Sequence, residues 1–220
     1  MPNPGEHHPA FEEYCECIFE LREDDLDVIQ ARIAERLKVS RPSVSEMIKR
    51  MAEESLVLVQ AGKISLTEQG ELIAHRVVRR HRLAERFITD ILGLSWALAH
   101  REAGRWEHVL SDEVEEAINR LLGNPTTCPH GNPIPGSSYT PPLAQRLGSL
   151  PVGQEFTVSR IPEELEFTAG MLEFLEQAHL IPGSHGIVST YPDPNCMTVD
   201  IDGKSIDITK YMSERILVTI

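Results

Sequence analysis

Features that define several classes of protein are scarce or missing in this 220-residue sequence. No apolar run approaches the roughly 18 to 20 residues that a membrane span needs. The polar start MPNPGEHHPA also has no apolar core of a signal peptide. The chain has only four cysteines, too few for a disulfide scaffold at this length: Cys15, Cys17, Cys128 and Cys196. These absences predict a cytoplasmic protein with reduced thiols and without a membrane partner.

Sequence signatures of catalytic sites are missing as well. The chain has no H-E-x-x-H zinc motif and no G-x-S-x-G nucleophile elbow. A metallohydrolase with Glu107 or Glu85 as general base beside a histidine-bound ion is the alternative from the enzyme class. Because no motif supports this alternative, the sequence predicts a protein that is not an enzyme.

Charge is unevenly distributed along the chain. The formal net charge is −13, which taken alone argues against a nucleic-acid partner. Residues 28–82, however, contain eleven Lys and Arg against six acids, whereas both flanking segments are acidic. A basic segment inside an acidic protein is typical of local contact with phosphates, because the remaining surface discourages non-specific binding.

The basic segment also has the pattern of a DNA-reading motif. Two apolar stripes at helical spacing predict two helices joined by a tight turn, with stripe positions 29, 33 and 37, then 44, 48 and 51. Ser40 is a good N-cap for the second helix, and Pro42 suits its first turn. Two short β-rich runs around Ala61-Gly62 follow and predict a hairpin. This order predicts a winged helix-turn-helix.

The rest of the chain divides into a helical part and a β-rich part. One long helix is expected from Glu68 to near Gly93, followed by two shorter ones that begin near Ser95 and after Ser111. Six prolines between residues 124 and 150 predict an extended crossing. The last seventy residues show strand patterns and one helix at 167–180, which predict a small β-barrel. The predicted domains are 1–76, 77–148 and 149–220.

Residues expected to contact DNA lie mainly at the start of the second helix. Short hydroxyl side chains and basic groups there suit close approach to a major groove, and the hairpin lysine suits an adjacent phosphate. The alternative is a winged helix that binds another protein. The candidates are Ser40, Arg41, Pro42, Ser43, Ser45, Lys49, Arg50 and Lys63.

Acidic and imidazole side chains recur at helical spacing on three predicted helices. His81 and Glu85, four residues apart, share one helix face, and Glu13 and Glu16 share another. On a third helix one face presents His100, Glu107 and His108. Imidazole with carboxylate is a ligand set for Mn, Fe, Zn or Ni. His100 and Glu107 would lie about 10 Å apart along the helix axis, so the pattern indicates two sites, or one site and an ordinary surface residue.

Four segments together resemble the metal-dependent repressors of the diphtheria toxin repressor family. These are ARIAERL before the Pro-Ser-Val-Ser helix, then HRLAERF, RWEHVLSDEVE and GNPIPG. The resemblance implies a winged helix, a helical dimerisation domain and an SH3-like C-terminal β-barrel, so that the fold is mainly α with a small β domain. It also implies a homodimer that binds a palindromic operator in double-stranded DNA and controls genes for metal uptake or homeostasis.

The resemblance assigns candidate ligands to an ancillary, a secondary and a primary metal site. His81, Glu85 and His100 match the family's ancillary site, which Glu163 and Glu166 would complete from the start of the SH3-like domain. Members of the family also use positions that match Cys128 and His130, together with the position of Glu85, for a secondary metal site; a structural turn is the alternative here. The primary, activating site is matched by Glu107 and His108, with Glu13, Glu16 and His81 as its manganese-type partners.

Departures from the family pattern bear on the choice of ion. Iron-type members have a cysteine where this chain has Gly104 and a methionine where it has Glu13. Manganese-type members have a glutamate at the position of Gly104, so Gly104 fits neither type and supplies no ligand. Glu13 supplies a carboxylate in place of the thioether, and the loss of both soft sulfur ligands favours Mn(II). The expected cofactor is therefore Mn(II), with two ions per protomer, and Fe(II) is the alternative. A winged-helix regulator controlled by protein partners without metal is the third hypothesis.

Overall fold

The first part of the chain is a winged helix-turn-helix, as predicted. The computed structural model describes residues 9–220. The first eight residues lie outside the described residues, so the start of the predicted domain 1–76 and most of the segment MPNPGEHHPA are not covered. The elements of this part are α1 (Pro9–Glu23), α2 (Gln30–Arg36), α3 (Arg41–Glu53), β1 (Val57–Gln60) and β2 (Lys63–Leu66). β1 and β2 pair antiparallel as the wing.

Local chemistry sets the boundaries of α3. The Ser40 side chain accepts a hydrogen bond from the Ser43 N–H at 3.2 Å, and Pro42 lies in the first turn, where it loses no helical hydrogen bond. Val44, Ile48 and Met51 are buried against α1 and the wing in one continuous apolar cluster. Both cap predictions for α3 are thereby confirmed, and the opposite face of α3 is left in solvent.

Three helices form the middle of the chain: α4 (Glu68–Arg86), α5 (Trp96–Trp106) and α6 (Asp112–Leu121). The expectation of one regular helix as far as Gly93 was wrong for its last turn, because residues Phe87–Ile91 form a wider π-helical turn. The Leu92 N–H donates to the carbonyl of Phe87, five residues earlier. Apolar spacing cannot separate 3.6 from wider periodicity within a single turn.

The last part contains a six-stranded antiparallel sheet in the order β3-β8-β4-β5-β6-β7. Its strands are β3 (Gln145–Arg146), β4 (Glu155–Arg160), β5 (His185–Asp193), β6 (Cys196–Ile201), β7 (Lys204–Thr209) and β8 (Leu217–Thr219). Short helices accompany it: a 3-10 turn at Leu147–Ser149, α7 (Glu163–Glu166), α8 (Met171–Gln177) and α9 (Lys210–Ser213). The helix expected at 167–180 is thus shorter, because Gly170 adopts a left-handed φ of +76° and separates α8 from α7.

The third part of the chain docks against the first two. Trp96 of α5 belongs to the same apolar cluster as the sheet. The guanidinium of Arg82, fully buried on α4, forms ion pairs with Glu23 of α1 and Glu163 of α7 at 2.7 and 2.9 Å. It also donates to the carbonyl of Pro133 in the proline-rich crossing. One buried cation therefore connects all three parts around α4.

Helices of membrane-spanning length and apolarity are absent from residues 9–220.

Candidate metal centre

Helices α1, α4 and α5 meet so that their acidic and imidazole faces converge. We name two neighbouring groups by their residues. Centre A comprises Glu12, Glu13, Glu16, His81, Glu107 and His108, and centre B comprises Glu85, His100, Cys128, His130, Glu163 and Glu166. The convergence follows from the spacing on α4, where residues 81 and 85 lie on one face one turn apart.

Centre A is built from three helices. His81 Nδ1 of α4 donates to Glu107 Oε2 at 2.5 Å, and Glu107 follows directly after α5. One ligand atom each of Glu16, His81 and Glu107 lies within 4.8 Å of the others. His108 Nε2 lies 3.2 Å from Glu107 Oε1. The structure therefore brings a donor of α1 together with donors of α4 and α5.

Two predicted ligands of centre A have weaker positions. Glu13 has a half-exposed side chain, 54% accessible, and its Oε1 lies 3.6 Å from His108 Nε2 rather than beside Glu16. His108 Nδ1 instead donates to Glu12 Oε2 at 2.8 Å. Glu12 was missed from the sequence, although its four-residue spacing to Glu16 places it on the same face of α1.

The charges of centre A are strongly coupled. Burial works against the charged form of Glu107, but the neighbouring imidazoles of His81 and His108 lower its pKa to about 2. The carboxylates of Glu107, Glu12 and Glu13 raise the pKa of His108 to about 12. Burial, reinforced by nearby carboxylates, raises the pKa of Glu16 well above its ordinary value. Without a cation, protons on the imidazoles and on Glu16 balance the carboxylates.

Gly104 leaves room beside centre A. A Cβ built there would meet no heavy atom within 4 Å among the neighbouring described residues. Gly104 lines the same cleft as Glu13, Glu16 and Glu107, a cavity of about 310 Å³. Centre A is therefore open to small solutes from this side.

Centre B gathers donors from α4, α5, the proline-rich crossing and α7. His100 Nδ1 donates to Glu85 Oε1 at 3.0 Å and lies 3.3 Å from Glu166 Oε2. His130 Nδ1 lies 2.9 Å from the same Glu166 oxygen and 3.5 Å from Glu85 Oε2. Cys128 Sγ lies 3.8 Å from His130 Nδ1. Glu85 and Glu166 therefore each face both imidazoles.

Several polar atoms of the two centres have close neighbours but no hydrogen bond. The buried oxygens Glu16 Oε1 and Glu163 Oε2 lack a hydrogen-bond partner within the described chain. Glu85 Oε2 and Glu166 Oε2 have imidazole nitrogens at 2.9 to 3.5 Å, but at angles outside hydrogen-bond geometry. Leaving a buried carboxylate oxygen unsatisfied is costly. Donor atoms that converge within 5 Å without hydrogen-bond geometry fit a divalent cation, and the donor types present are those that Mn(II), Fe(II) or Zn(II) accept.

Burial in centre B is almost complete, and the charges again compensate one another. Burial lowers the pKa of His100, but the carboxylates of Glu166 and Glu85 outweigh this and raise it to about 10. For Glu166 the neighbouring imidazoles of His130 and His100 overcome burial and lower the pKa to about 2. Burial raises the pKa of the Cys128 thiol, so Cys128 is a neutral thiol in the metal-free protein.

His81 lies between the two centres. Its Nδ1 faces Glu107 of centre A, whereas its Nε2 lies 3.3 Å from Glu85 Oε1 and 3.4 Å from His100 Nδ1 of centre B. A neutral imidazole has one lone pair for a cation, so His81 can complete one centre at a time. Centre B retains two other imidazoles, His100 and His130, and can leave His81 to centre A.

Supporting residues that the sequence did not reveal surround both centres. Asn132 donates to Glu166 Oε1 at 2.7 Å and accepts from Arg160 Nε at 2.5 Å, which fixes the carboxylate. Glu20 of α1 is buried near Arg36, and burial together with the charge of Glu163 raises its pKa to about 8. The four-residue repeat of acids at 12, 16 and 20 was the available signal for Glu20; nothing local marked Asn132.

The candidate DNA-contacting residues lie apart from both centres, on the exposed side of α3 and on the wing. The exposed members are Ser40, Arg41, Pro42, Ser43, Ser45, Lys49, Arg50 and Lys63. Lys63 Nζ donates to Asp27 Oδ1 at 2.8 Å, and Lys49 lies 3.9 Å from Glu53. Both ion pairs are exposed and hence weak, so a phosphate can replace either carboxylate.

Comparison with known proteins identifies this combination of a winged helix-turn-helix with buried clusters of carboxylate and imidazole side chains. Residues 8–63 match the iron dependent repressor N-terminal DNA binding domain, and residues 67–136 match the iron dependent repressor metal binding and dimerisation domain. The iron-dependent repressor IdeR of Mycobacterium leprae is 34% identical over 94% of this chain and 95% of its own length. The chain belongs to the iron-dependent repressor family.

Further relatives of the family agree with this membership. The diphtheria toxin repressor of Corynebacterium glutamicum is 35% identical over 90% of each chain. A solved structure described as a manganese-dependent transcriptional repressor complex with manganese superimposes with a TM-score of 0.85 at 32% identity, covering 95% of this chain and 99% of that chain. The resemblance to the diphtheria toxin repressor family is confirmed.

Family membership establishes the coarse function. The chain is a metal-dependent transcriptional repressor with a DNA-binding and a metal-binding dimerisation domain. Relatives named for iron and a solved structure named for manganese both match. The choice of ion therefore depends on the donor atoms of this chain.

Proposed function

We propose that this protein is a cytoplasmic, homodimeric repressor that responds to Mn(II) and binds a palindromic operator of metal-uptake or metal-homeostasis genes. Each protomer binds two cations, one at centre A and one at centre B. The protein acts as a regulator and not as an enzyme, in line with relatives that are repressors. The domains are 1–76 for DNA binding, 77–148 for metal binding and dimerisation, and 149–220 for the SH3-like part.

One observation supports this proposal more than any other: the donors of centre A come from both sides of a domain junction. Glu16 belongs to α1, which packs into the apolar core of the winged helix, whereas His81 and Glu107 belong to α4 and the end of α5. A group held jointly by these residues fixes α1 against the dimerisation helices. The position of the winged helix-turn-helix then depends on centre A.

The residues proposed to hold the cations follow from their placement. In centre A they are Glu13, Glu16, His81, Glu107 and His108, and in centre B they are Glu85, His100, Cys128, His130, Glu163 and Glu166. A bound divalent cation supplies the positive charge that the protons provide in the metal-free protein. Since His100 and His108 have raised pKa values, these imidazoles must release protons before they can act as ligands.

The preference for Mn(II) rests on centre A, whose converging donors Glu16, His81 and Glu107 are carboxylate and imidazole groups. Cys17 also lines the cleft, but it does not belong to this donor group, and burial raises the pKa of its thiol. Oxygen-rich sets suit Mn(II), whereas sulfur ligands favour softer ions. Fe(II) is the second candidate, because nitrogen and oxygen donors also accept it. The thiol of Cys128 is confined to centre B.

The chain turns occupancy of centre A into DNA binding by a shift of population. A cation activates the protein only to the extent that it binds the DNA-competent arrangement more tightly than the relaxed one. Moving a population from 1:99 to 99:1 requires about 5.5 kcal/mol. Two linked centres per protomer divide that requirement, and two protomers place their α3 helices in successive major grooves.

A binding titration tests this proposal. A duplex is first selected from a random DNA pool by the wild-type protein in the presence of Mn(II), and its affinity is then measured with Mn(II), anaerobic Fe(II) or Zn(II). For each metal, the free concentration that activates DNA binding is divided by the concentration available in cells, and we expect this ratio to be lowest for Mn(II). The selected duplex should contain two symmetric half-sites. Equal DNA affinity with chelator and with saturating metal would refute the proposal.

A further inference from the structure

Arg36, the last residue of α2, is held by the third part of the chain. Its side chain is buried, and its NH1 donates to the backbone carbonyl of Glu163 at 3.2 Å. The guanidinium carbon lies 4.0 Å from the ring centroid of Phe167, and NH2 donates to Glu20 Oε2 at 3.4 Å. The end of α2, the helix that precedes the recognition helix α3, is therefore held in a clamp made largely by α7 and its C-cap residue Phe167.

The other side of this clamp touches centre B. The ring of Phe167 meets the imidazole of His100 edge-to-face, with centroids 5.3 Å apart and planes at 88°. Phe167 directly follows α7, whose Glu163 and Glu166 belong to centre B. Phe167 thus lies between a candidate metal ligand and the guanidinium of α2.

We propose that Arg36 and Phe167 are positioning residues that transmit occupancy of centre B to the helix-turn-helix. The inference rests on the proposed function and extends it, because it gives the helix-turn-helix a connection to centre B in addition to the connection of α1 to centre A. When His100, Glu163 and Glu166 are drawn into one arrangement, the ring of Phe167 and the carbonyl of Glu163 are fixed together. These two groups are the seat of Arg36.

The chemistry of the clamp requires an arginine and an aromatic ring. A planar guanidinium stacks on a ring face and at the same time donates in its own plane, which a lysine ammonium cannot do. Both partners are needed in one place, so a small displacement of α7 removes the stacking and the hydrogen bond together. The clamp is therefore formed or lost as a unit, which is the property that coupling between sites requires.

The quantity that tests this proposal is a ratio of two Mn(II) affinities. Mn(II) binding is measured by calorimetry on the full-length protein, free and saturated with the selected duplex. By linkage, the ratio of the two affinities equals the factor by which Mn(II) raises DNA affinity. In Arg36→Lys and Phe167→Leu we expect this ratio to fall roughly 2- to 30-fold, whereas Phe167→Tyr, which keeps the ring face, retains it.

Matched controls separate coupling from general damage. Arg32→Lys changes the neighbouring arginine of α2, and Phe174→Leu changes a partly exposed ring of α8; both should keep the wild-type ratio. A variant that merely weakens the fold or the metal site lowers both affinities equally and leaves the ratio unchanged, which would overturn the inference. The same conclusion follows if Phe167→Tyr behaves as Phe167→Leu.

The wild-type protein distinguishes failure of this inference from failure of the proposed function. A wild-type ratio of one means that Mn(II) does not activate DNA binding at all, and the proposed function then fails. A large wild-type ratio that Arg36→Lys and Phe167→Leu retain refutes only the role of the clamp.

Discussion

Centres A and B both combine carboxylates with imidazoles, and centre B adds the thiol of Cys128, but they differ in access and in connection. Centre A lines an open cleft, includes the half-exposed Glu13 and adjoins the empty space at Gly104. In centre B, by contrast, Glu85, His130 and Glu166 are buried. A site that must sample the free cation concentration needs access, whereas a buried site exchanges slowly and orders its surroundings. The comparison suggests a sensing role for centre A and a stabilising role for centre B.

The largest effect is expected from a substitution in centre B, on the stability of the metal-free protein. Glu85→Gln removes the carboxylate that faces His81, His100 and His130. Glu166 and Glu85 together raise the pKa of His100 to about 10, so the variant leaves Glu166 to balance both His100 and His130 in a buried site. We expect the free energy of unfolding to fall by about 3 to 5 kcal/mol, measured by denaturant titration without metal.

A surface control completes that experiment. Glu102→Gln removes the same charge from an exposed ion pair of α5 and should change the free energy of unfolding by less than about 0.5 kcal/mol. If Glu85→Gln unfolds at the same denaturant concentration as the wild type, centre B does not stabilise the fold.

Centre A should show the opposite profile. In Glu107→Gln, His81 keeps Glu85 and His108 keeps Glu12, so each imidazole retains a separate carboxylate. The loss of stability should therefore be smaller than for Glu85→Gln, where His100 and His130 share Glu166. The variant loses the donor shared by both imidazoles of centre A. We expect the Mn(II)-dependent gain in affinity for the selected duplex to fall on the order of 100-fold, measured by fluorescence anisotropy.

Two outcomes would contradict this second prediction. Full activation of Glu107→Gln at the wild-type Mn(II) concentration would remove Glu107 from the sensing site. A loss of stability as large as that of Glu85→Gln would remove the distinction between the two centres.

Most of the architecture follows from local sequence signals, whereas the contents of centre B do not. Helical stripes, the Ser40 cap and the alternating strands predicted the order of elements because these signals act over one or two turns. The helix faces of α1, α4 and α5 likewise placed Glu16, His81 and Glu107 on faces that the packing of these helices brings together.

Contacts between residues that are far apart in the sequence were not predicted, except where the family pattern supplied them. Asn132 orients Glu166 across 34 positions, and Arg36 reaches Glu163 across 127. No periodicity links such positions, since their proximity depends on how the third part docks. The start of α8 at Met171 rather than at Phe167 was missed, because a left-handed glycine at position 170 has no counterpart in an apolar pattern.

A third prediction concerns the pH dependence of Mn(II) affinity, which reports the protons that each centre releases. The raised pKa values of His108, about 12, and His100, about 10, mean that both imidazoles hold protons at pH 7. A cation must displace these protons, so Mn(II) affinity should increase as the pH rises from 6 to 8, by about tenfold per unit for each proton released. Calorimetry in two buffers of different ionisation enthalpy counts the protons.

Variants assign these protons to the centres. Glu107→Gln should abolish the component from centre A and retain the protons released at centre B. An affinity that is independent of pH between 6 and 8 would show that the imidazoles are not ligands, because binding by carboxylates that are already ionised releases no proton in this range.

The smallest expected effect comes from Gly104, where two substitutions change two different quantities. Gly104→Ala places a methyl group in open space within α5 and should raise the free energy of unfolding by about 0.5 to 1 kcal/mol, since alanine restricts the unfolded chain and favours helix. It adds no donor, so Mn(II) affinity should stay unchanged. Gly104→Glu adds a carboxylate in the cleft beside Glu16 and Glu107, and it should strengthen Mn(II) binding at centre A if a ligand position is open there. Equal Mn(II) affinity of the Ala and Glu variants would instead show that the donors already present fill centre A, and Gly104 would then be a helix position with no part in sensing.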